Sequence, residues 1–213
     1  TVNRDAAGNV AEGARRAGAR MLHVSTDFVF DGTKTTPYTE KDTTNPLNVY
    51  GNSKRQGELL VLDALPDATI LRTSWVYGNH GQNFVKTMLR LASSQQVMRV
   101  VSDQVGSPSW VNDIAGAIIR LIREPTQGIY HYANNGAISW HAFASTIVRM
   151  AADLGVPVMT DEIQAISTAE YPTAAVRPAY SALATEKIQA ATGAAVPNWE
   201  TSLEQMLVAE IAQ

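Results

Sequence analysis

Cysteine is absent from this chain of 213 residues, and charged and aromatic residues are few, at 17% and 7%. Without cysteine, neither disulfides nor thiolate chemistry can contribute, which suits a reducing cytoplasm, and we expect that location. The net charge is −3, so nothing electrostatic favours a nucleic acid or an anionic membrane as partner. No apolar run approaches the roughly 20 residues that cross a bilayer. The 45% of hydrophobic residues suits one or two globular domains with a sizeable core.

Helical and strand patterns alternate along most of the chain. Apolar spacing and capping residues predict helices over residues 4–19, 46–64, 82–93, 111–123 and 139–155, with strands at 20–25, 68–74, 97–102 and 128–133. For the second helix, Asn45 is the predicted N-cap and Pro46 lies in the first turn. This alternation favours an α/β domain built on a parallel sheet. After about residue 157 the pattern loosens into an appended lobe with a mobile loop at 165–175 and helices at 184–191 and 199–212.

Two short stretches carry the chemistry, "STDFVFDG" at 25–32 and "NPLNVYGNSKRQGE" at 45–58. Tyr50 and Lys54 are four residues apart on one predicted helix, so their side chains share a face. A neighbouring ammonium lowers the pKa of a phenol, and a phenol so tuned can donate a proton to a carbonyl oxygen. Thr26 follows a strand, where open α/β sheets bind ligands. The three side chains therefore predict a proton-transfer set around one carbonyl; the alternative is a surface helix with an exposed lysine.

These stretches, together with "LRTSWVYG", "VSDQVGSPSW" and "RPAYSAL", resemble the extended short-chain dehydrogenase/reductase superfamily. Within it they are most similar to the dTDP-4-dehydrorhamnose reductases. The resemblance implies a Rossmann-type doubly wound parallel sheet with a smaller C-terminal substrate lobe. Residues 1–74 would form a partial dinucleotide-binding domain. Residues 75–213 would complete the sheet and form the substrate lobe. The implied reaction is reduction of the C4 keto group of dTDP-4-dehydro-L-rhamnose by NADPH or NADH.

The resemblance also implies residue roles. Tyr50 would donate the proton, Lys54 would tune Tyr50 and bind the nicotinamide ribose, and Thr26 would orient the keto group. The other cofactor-binding residues would be Ser25, Thr73 and Ser74. The other substrate-binding residues would be Asp27, Trp75, Gln104, Gly106 and Arg177.

Plainer interpretations stay open for three of these side chains and for Trp110. Trp75 and Trp110 could be core aromatics. Asp27 could cap the following turn, and Arg177 could form a surface ion pair. The histidines show no metal-ligand spacing.

The glycine-rich G-x-G-x-x-G turn that holds the cofactor pyrophosphate in this superfamily does not occur in the sequence. We therefore expect a preceding segment that carries this turn and the choice between NAD and NADP. A homodimer is a family expectation, and a magnesium ion used by some members cannot be placed on any carboxylate cluster here. Two other functions stay open. One is a different nucleotide-deoxysugar ketoreductase or epimerase, and the other is a non-catalytic subunit resembling the beta subunit of methionine adenosyltransferase.

Overall fold

The computed structural model describes residues 2–212, in which helices and strands alternate after a π-helical turn at Val2–Ala6. The helices are α1 (Ala7–Arg16), α2 (Val49–Ala64), α3 (Phe84–Ala92), α4 (Val111–Arg123), α5 (Trp140–Asp153), α6 (Glu186–Thr192) and α7 (Trp199–Ile211). The strands are β1 (Leu22–Thr26), β2 (Thr69–Thr73), β3 (Val76–Tyr77), β4 (Val97–Val101), β5 (Val105–Gly106), β6 (Ser109–Trp110), β7 (Gly128–Tyr132), β8 (Ile138–Ser139) and β9 (Glu162–Ile166). No helix among these residues is long and apolar enough to cross a membrane.

The main sheet is parallel and has the strand order β1-β2-β7. Every residue of the central strand, β2, is buried. Successive side chains on a strand point to opposite faces, and the helices cover both faces accordingly. Ile70 packs with Ala7 and Ala11 of α1 and with Val61 of α2, whereas Leu71 packs with residues of α4 and α6 on the other face. The predicted α/β fold with a parallel sheet is confirmed.

A second core lies outside the main sheet and is rich in aromatic residues. Helices α3, α5 and α7 contribute to it, with Phe143 fully buried near its centre and Trp199 packed edge-on against Phe143 at 5.6 Å. Trp110 belongs to this core and is 8% exposed, which supports the plainer interpretation of that residue. The predicted division at residues 74 and 75 stays a prediction.

The chain after residue 157 differs from the expectation of an appended lobe with a loop at 165–175. Strand β9, which was not predicted, pairs in parallel with β4 in a separate two-stranded sheet. Its sequence, EIQAI, is mostly exposed, so it lacks the apolar run by which buried strands are found. Farther along, Ile188 of α6 packs against the main sheet beside Tyr130. The end of the chain therefore contributes to both parts of the molecule.

Helix α2 begins three residues later than predicted. Its N-cap is Asn48, whose side chain accepts a hydrogen bond from the Gly51 backbone at 2.8 Å. Asn45 instead donates its backbone N–H to the carbonyl oxygen of Val29 at 2.9 Å, which ties this segment to the loop after β1. Gly51 faces that loop so closely that a Cβ atom would lie 2.1 Å from the carbonyl oxygen of Phe28. Only glycine therefore allows the start of α2 to approach the end of β1.

Candidate active site

Hydroxyl side chains line the carboxyl end of the main sheet. Thr26 and Thr73 end β1 and β2 and are direct neighbours in the register. Thr26 Oγ1 donates to Asp27 Oδ1 at 3.1 Å and accepts from the Phe28 backbone N–H at 3.2 Å. Both threonines are 6% exposed. They lie where parallel α/β sheets bind their ligands.

Tyr50 reaches this edge from the first turn of α2. Its side chain is 48% exposed, its ring lies edge-on to Phe28 at 5.7 Å, and its phenol interacts with the Thr26 side chain. Burial raises the pKa of the phenol above its usual value, while the bond to Thr26 opposes the rise. The net shift of the Tyr50 pKa is therefore upward, opposite in direction to the predicted lowering. The phenol is protonated at neutral pH and is a proton donor in that state.

The Lys54 side chain lies against β1, the strand that ends at Thr26. Its Nζ atom donates to the backbone carbonyl oxygen of Val24 at 2.6 Å. Val24 and Thr26 are two residues apart on β1, roughly 7 Å along an extended chain. Burial lowers the pKa of Lys54, and the carboxylate of Glu58 opposes that shift. The structure thus brings Thr26, Tyr50 and Lys54 together at one end of one strand, as the sequence predicts.

Asp27 is a buried carboxyl, 2% exposed, beside the proton-transfer set. Burial raises its pKa to about 6, although the hydroxyls of Ser181 and Thr26 oppose that change. Its Oδ2 atom has no hydrogen-bond partner in the part of the chain that the structure describes. Because most buried polar atoms are paired, this oxygen is available to a ligand.

Three hydroxyls were predicted to lie near the nicotinamide, and all three are buried. Ser74 donates to the carbonyl oxygen of Ser107 at 2.7 Å, so its proton is already used. Thr73 Oγ1 has no partner within residues 2–212. Ser25, Thr26 and Thr73 lie at the carboxyl ends of β1 and β2, and the Lys54 ammonium lies against β1 at Val24. This donor set fits the ribose hydroxyls and carboxamide of a nicotinamide cofactor.

A cleft opens at the edge of the aromatic core. Trp75 has a φ of 45°, a left-handed conformation that is uncommon for a bulky residue. Its ring stacks on Trp140 with centroids 3.4 Å apart. On Gly106, a Cβ atom would lie 2.4 Å from the Trp75 ring. Trp75 is thus held in place on two sides, which favours a built pocket wall over the plainer interpretation of a core aromatic.

The cleft has a volume of about 420 Å³. Gln104, Trp140 and Arg177 line both this cleft and a narrower crevice that runs to Phe28, Trp75 and Ser181. Gln104 Nε2 donates to Thr168 Oγ1 at 3.0 Å. Arg177 is exposed and forms no ion pair with other described residues, so the surface ion pair considered for it is not found. A guanidinium so placed is suited to phosphate oxygens.

Four residues of the site were not found by sequence reasoning: Trp140, Ser181, Glu58 and Arg99. Trp140 follows the predicted cap Ser139, which accepts from the Ala142 backbone at 3.1 Å, but nothing local shows that its ring meets Trp75. Ser181 lies in the quoted "RPAYSAL" stretch, and that stretch was its only signal. Arg99 lines the wide cleft from a strand whose partner was missed. No group of three or more histidine, aspartate or glutamate side chains in residues 2–212 could hold a metal ion.

Comparison with known proteins places this geometry in a family. The family model of the RmlD substrate binding domain matches residues 1–211. The chain belongs to the RmlD substrate binding domain family. It is 43% identical over 213 residues to the dTDP-4-dehydrorhamnose reductase of Sinorhizobium fredii, covering 97% of this chain and 71% of that protein. It is 40% identical to the reductase of Salmonella typhimurium, covering 93% of this chain and 68% of that protein.

Solved structures of RmlD relatives have the same fold. The dTDP-4-dehydrorhamnose reductase of Bacillus anthracis, in complex with NADP, is 37% identical, with a TM-score of 0.91 over 97% of this chain and 72% of that one. The ortholog from Clostridium acetobutylicum is 36% identical, with a TM-score of 0.92 over 99% of this chain and 72% of that one. The predicted resemblance is confirmed by these matches.

Proposed function

We propose that this RmlD-family chain reduces the C4 keto group of dTDP-4-dehydro-L-rhamnose to dTDP-L-rhamnose with hydride from NADPH or NADH. The observation that carries the proposal is the placement of two side chains of α2 at the carboxyl end of β1: the Tyr50 phenol interacts with the Thr26 side chain, and the Lys54 ammonium donates to the Val24 carbonyl oxygen. The two reductases described above share 43% and 40% of their aligned residues with this chain.

In this mechanism Tyr50 donates its proton to the keto oxygen as the alkoxide develops. Thr26 holds the same oxygen, because its hydroxyl already contacts the phenol. Lys54 stabilises the phenolate that remains, since an adjacent ammonium favours the charged form. When bound, the reduced nicotinamide supplies the hydride. Ser25, Thr73 and Lys54 would hold the nicotinamide end of that cofactor, with Ser74 beside them.

The sugar nucleotide fits along the cleft. Asp27 Oδ2, buried and without a partner in residues 2–212, would accept a hydrogen bond from a sugar hydroxyl. Trp75, held against Trp140 and Gly106, would form the apolar wall under the sugar. Gln104 and Gly106 would shape the same pocket, and the Arg177 guanidinium would bind the diphosphate. The homodimer and the cytoplasmic location stay predictions.

A different nucleotide-deoxysugar ketoreductase is the second candidate. The chain is 38% identical over 208 residues to a dTDP-4-keto-6-deoxy-D-glucose reductase of Streptomyces niveus, covering 96% of this chain and 69% of that protein. Both substrates present a keto group at C4, so the proton-transfer set serves either. The choice depends on the ring substituents that meet Trp75 and Gln104.

The test uses the complete gene product that carries these residues. With NADPH and dTDP-4-dehydro-L-rhamnose, the wild type oxidises the cofactor, and Tyr50→Phe lowers kcat by about 100-fold or more, because general acid catalysis contributes at least that much. Tyr130→Phe is the matched control, since it removes a phenol from β7 on the α4 and α6 face of the sheet, and its kcat stays at the wild-type value.

Three results decide against the proposal. If the wild type oxidises no NADPH with this substrate but does so with dTDP-4-keto-6-deoxy-D-glucose, the second candidate is correct. If neither sugar supports oxidation of NADPH, the result favours a non-catalytic subunit. If Tyr50→Phe retains wild-type kcat, the assigned proton donor is wrong.

A further inference from the structure

A buried ion pair lies behind the proton-transfer set. Glu58 and Arg72, on α2 and β2, are 0% and 1% exposed. Arg72 Nε donates to Glu58 Oε1 at 2.8 Å, and Nη2 donates to Oε2 at 2.7 Å. Arg55 adds a third N–H to the same carboxylate at 3.2 Å. This bidentate geometry fixes the carboxylate relative to the central strand of the main sheet.

The pair is anchored from the far side by a neutral histidine. His131 Nδ1 lies 3.0 Å from the carbonyl oxygen of Tyr38, which can only accept, so this nitrogen carries the proton. The Nε2 atom then has a free lone pair, and Arg72 Nη1 lies 3.5 Å away from it. Burial and the Arg72 charge lower the pKa of His131 to about 3. The Arg72 guanidinium also lies 5.2 Å from the centre of the Phe30 ring.

Stability alone does not account for such an arrangement. Replacing a buried ion pair by apolar residues of similar volume is often neutral or stabilising, because both charges lose their hydration. The pair is buried, with the Phe30 ring against Arg72, so the desolvation cost applies to both charges. The charge on Glu58 therefore calls for a second role.

Lys54, one helical turn before Glu58, indicates this second role. Glu58 follows Lys54 by four residues on α2, so the two side chains share a face. Lys54 is partly buried against β1, where its ammonium donates to Val24. Two other titratable groups face it: Tyr50, four residues earlier on the same helix, and His23 on β1, whose pKa is lowered by burial and by the Lys54 charge. Glu58 is thus the negative charge that compensates Lys54.

We propose that Glu58 is a positioning residue for Lys54: its carboxylate, fixed by Arg72, keeps the Lys54 ammonium charged and seated against β1. Arg72 in turn keeps Glu58 ionised. The role of Lys54 in the reaction rests on the proposed function, but its charge state is measurable without any substrate. The test therefore has one arm that depends on activity and one that does not.

The first arm measures the reactivity of Lys54 in the complete gene product. The protein is pulsed with acetic anhydride between pH 6 and 11, and acetylation of Lys54 is quantified by mass spectrometry. Glu58→Gln keeps the side-chain shape and removes the charge. We expect it to raise Lys54 acetylation near pH 9 by roughly threefold or more, because more of the amine is deprotonated when the compensating charge is lost.

Three further variants make the result specific. Glu58→Gln combined with Arg72→Met leaves no unpaired buried charge, so it reports on Lys54 even if the single variant does not fold. Glu58→Asp keeps the charge and should return the titration toward that of the wild type. Asp63→Asn removes an exposed negative charge from the same helix and should leave the Lys54 titration unchanged.

The second arm follows the pH profile of kcat. Loss of Glu58 moves the basic limb to lower pH and leaves KM for the sugar nucleotide nearly unchanged. If the double variant folds with wild-type circular dichroism and Lys54 titrates as in the wild type, the pair is only structural and the proposal is wrong. If the titration shifts while the wild type reduces no sugar, the positioning role of Glu58 holds and the proposed function fails.

Discussion

The carboxyl groups of Glu58 and Asp27 are both buried, but their surroundings differ. Glu58, behind α2, meets the Arg72 guanidinium, and although burial opposes it, this partner lowers the pKa of Glu58 below its usual value. Asp27, directly after β1, meets only hydroxyl and backbone donors, and burial raises its pKa to about 6. The presence of a cation, not the depth of burial, decides which carboxyl stays fully ionised.

The same contrast separates the support of the site from the site itself. Behind α2 the charges are matched by partners that the chain supplies. At the carboxyl end of the main sheet, Asp27 Oδ2 and Thr73 Oγ1 lack partners within residues 2–212. Buried polar atoms are nearly always paired in folded proteins, so these two oxygens are free to bind a ligand.

Removing the Arg72 cation that pairs with Glu58 should have the largest effect on stability. Arg72→Met leaves Glu58 buried without its partner, and we expect the free energy of unfolding to fall by about 3–5 kcal/mol. Chemical denaturation of the complete gene product measures the loss. The matched control is the variant with Arg72→Met and Glu58→Gln together, which should recover most of the stability. Equal losses in the single and double variants would show that the cavity, and not the unpaired charge, is the cause.

Asp27, unlike Glu58, should contribute more to the free energy of unfolding at low pH than at high pH. Its folded pKa of about 6 lies above the unfolded value near 4. The stability it contributes is therefore complete below about pH 4 and is lost as the pH rises to about 6. Asp27→Asn does not titrate, so its unfolding free energy relative to the wild type should increase between pH 4 and pH 7, by up to about 3 kcal/mol.

Denaturation at several pH values between 4 and 8 measures this difference for Asp27→Asn. Asp113→Asn is not a suitable control, because Ser202 and Asn134 both hydrogen-bond to that carboxylate. Exposed Asp67 makes no such contact within residues 2–212, so Asp67→Asn is the matched control. A constant difference for Asp27→Asn would contradict the raised pKa.

A substitution at Gly106 leaves Glu58 and Asp27 intact, so it tests packing without a change in charge. Gly106→Ala places a methyl group 2.4 Å from the Trp75 ring, and Trp75 is confined by Trp140 on the other side. We expect a loss of about 1–3 kcal/mol from overpacking and a raised KM for the sugar nucleotide. Gly116→Ala on α4, where a Cβ atom meets nothing within 4 Å, is the control and should be neutral or stabilising by up to about 1 kcal/mol.

The parts of the site that the sequence predicts are those that local patterns encode. Tyr50 and Lys54 share a helix and Thr26 ends a strand, so periodicity and strand order were enough to bring them together. The rest depends on contacts across long stretches of chain. Arg72 meets Glu58 from the next strand, Trp140 meets Trp75 from 65 residues farther along, and neither spacing follows a period.

Two local predictions failed for physical reasons. The start of α2 was placed at a proline, whereas Asn48 makes the capping bond and the preceding segment is tied to the loop after β1. The pKa of Tyr50 was predicted from the neighbouring ammonium alone. Burial is the larger influence, and burial depends on tertiary packing that the spacing of two residues does not contain.

The most direct test of the central claim follows the hydride and the proton together. The complete gene product is incubated with dTDP-4-dehydro-L-rhamnose and NADPH that carries deuterium at C4 of the nicotinamide, in separate samples for each face of the ring. With one of the two samples we predict deuterium at C4 of the sugar product by NMR, formed by the wild type and about 100-fold more slowly by Tyr50→Phe. Oxidation of NADPH without deuterium in the sugar, or equal rates for the two proteins, would contradict the account.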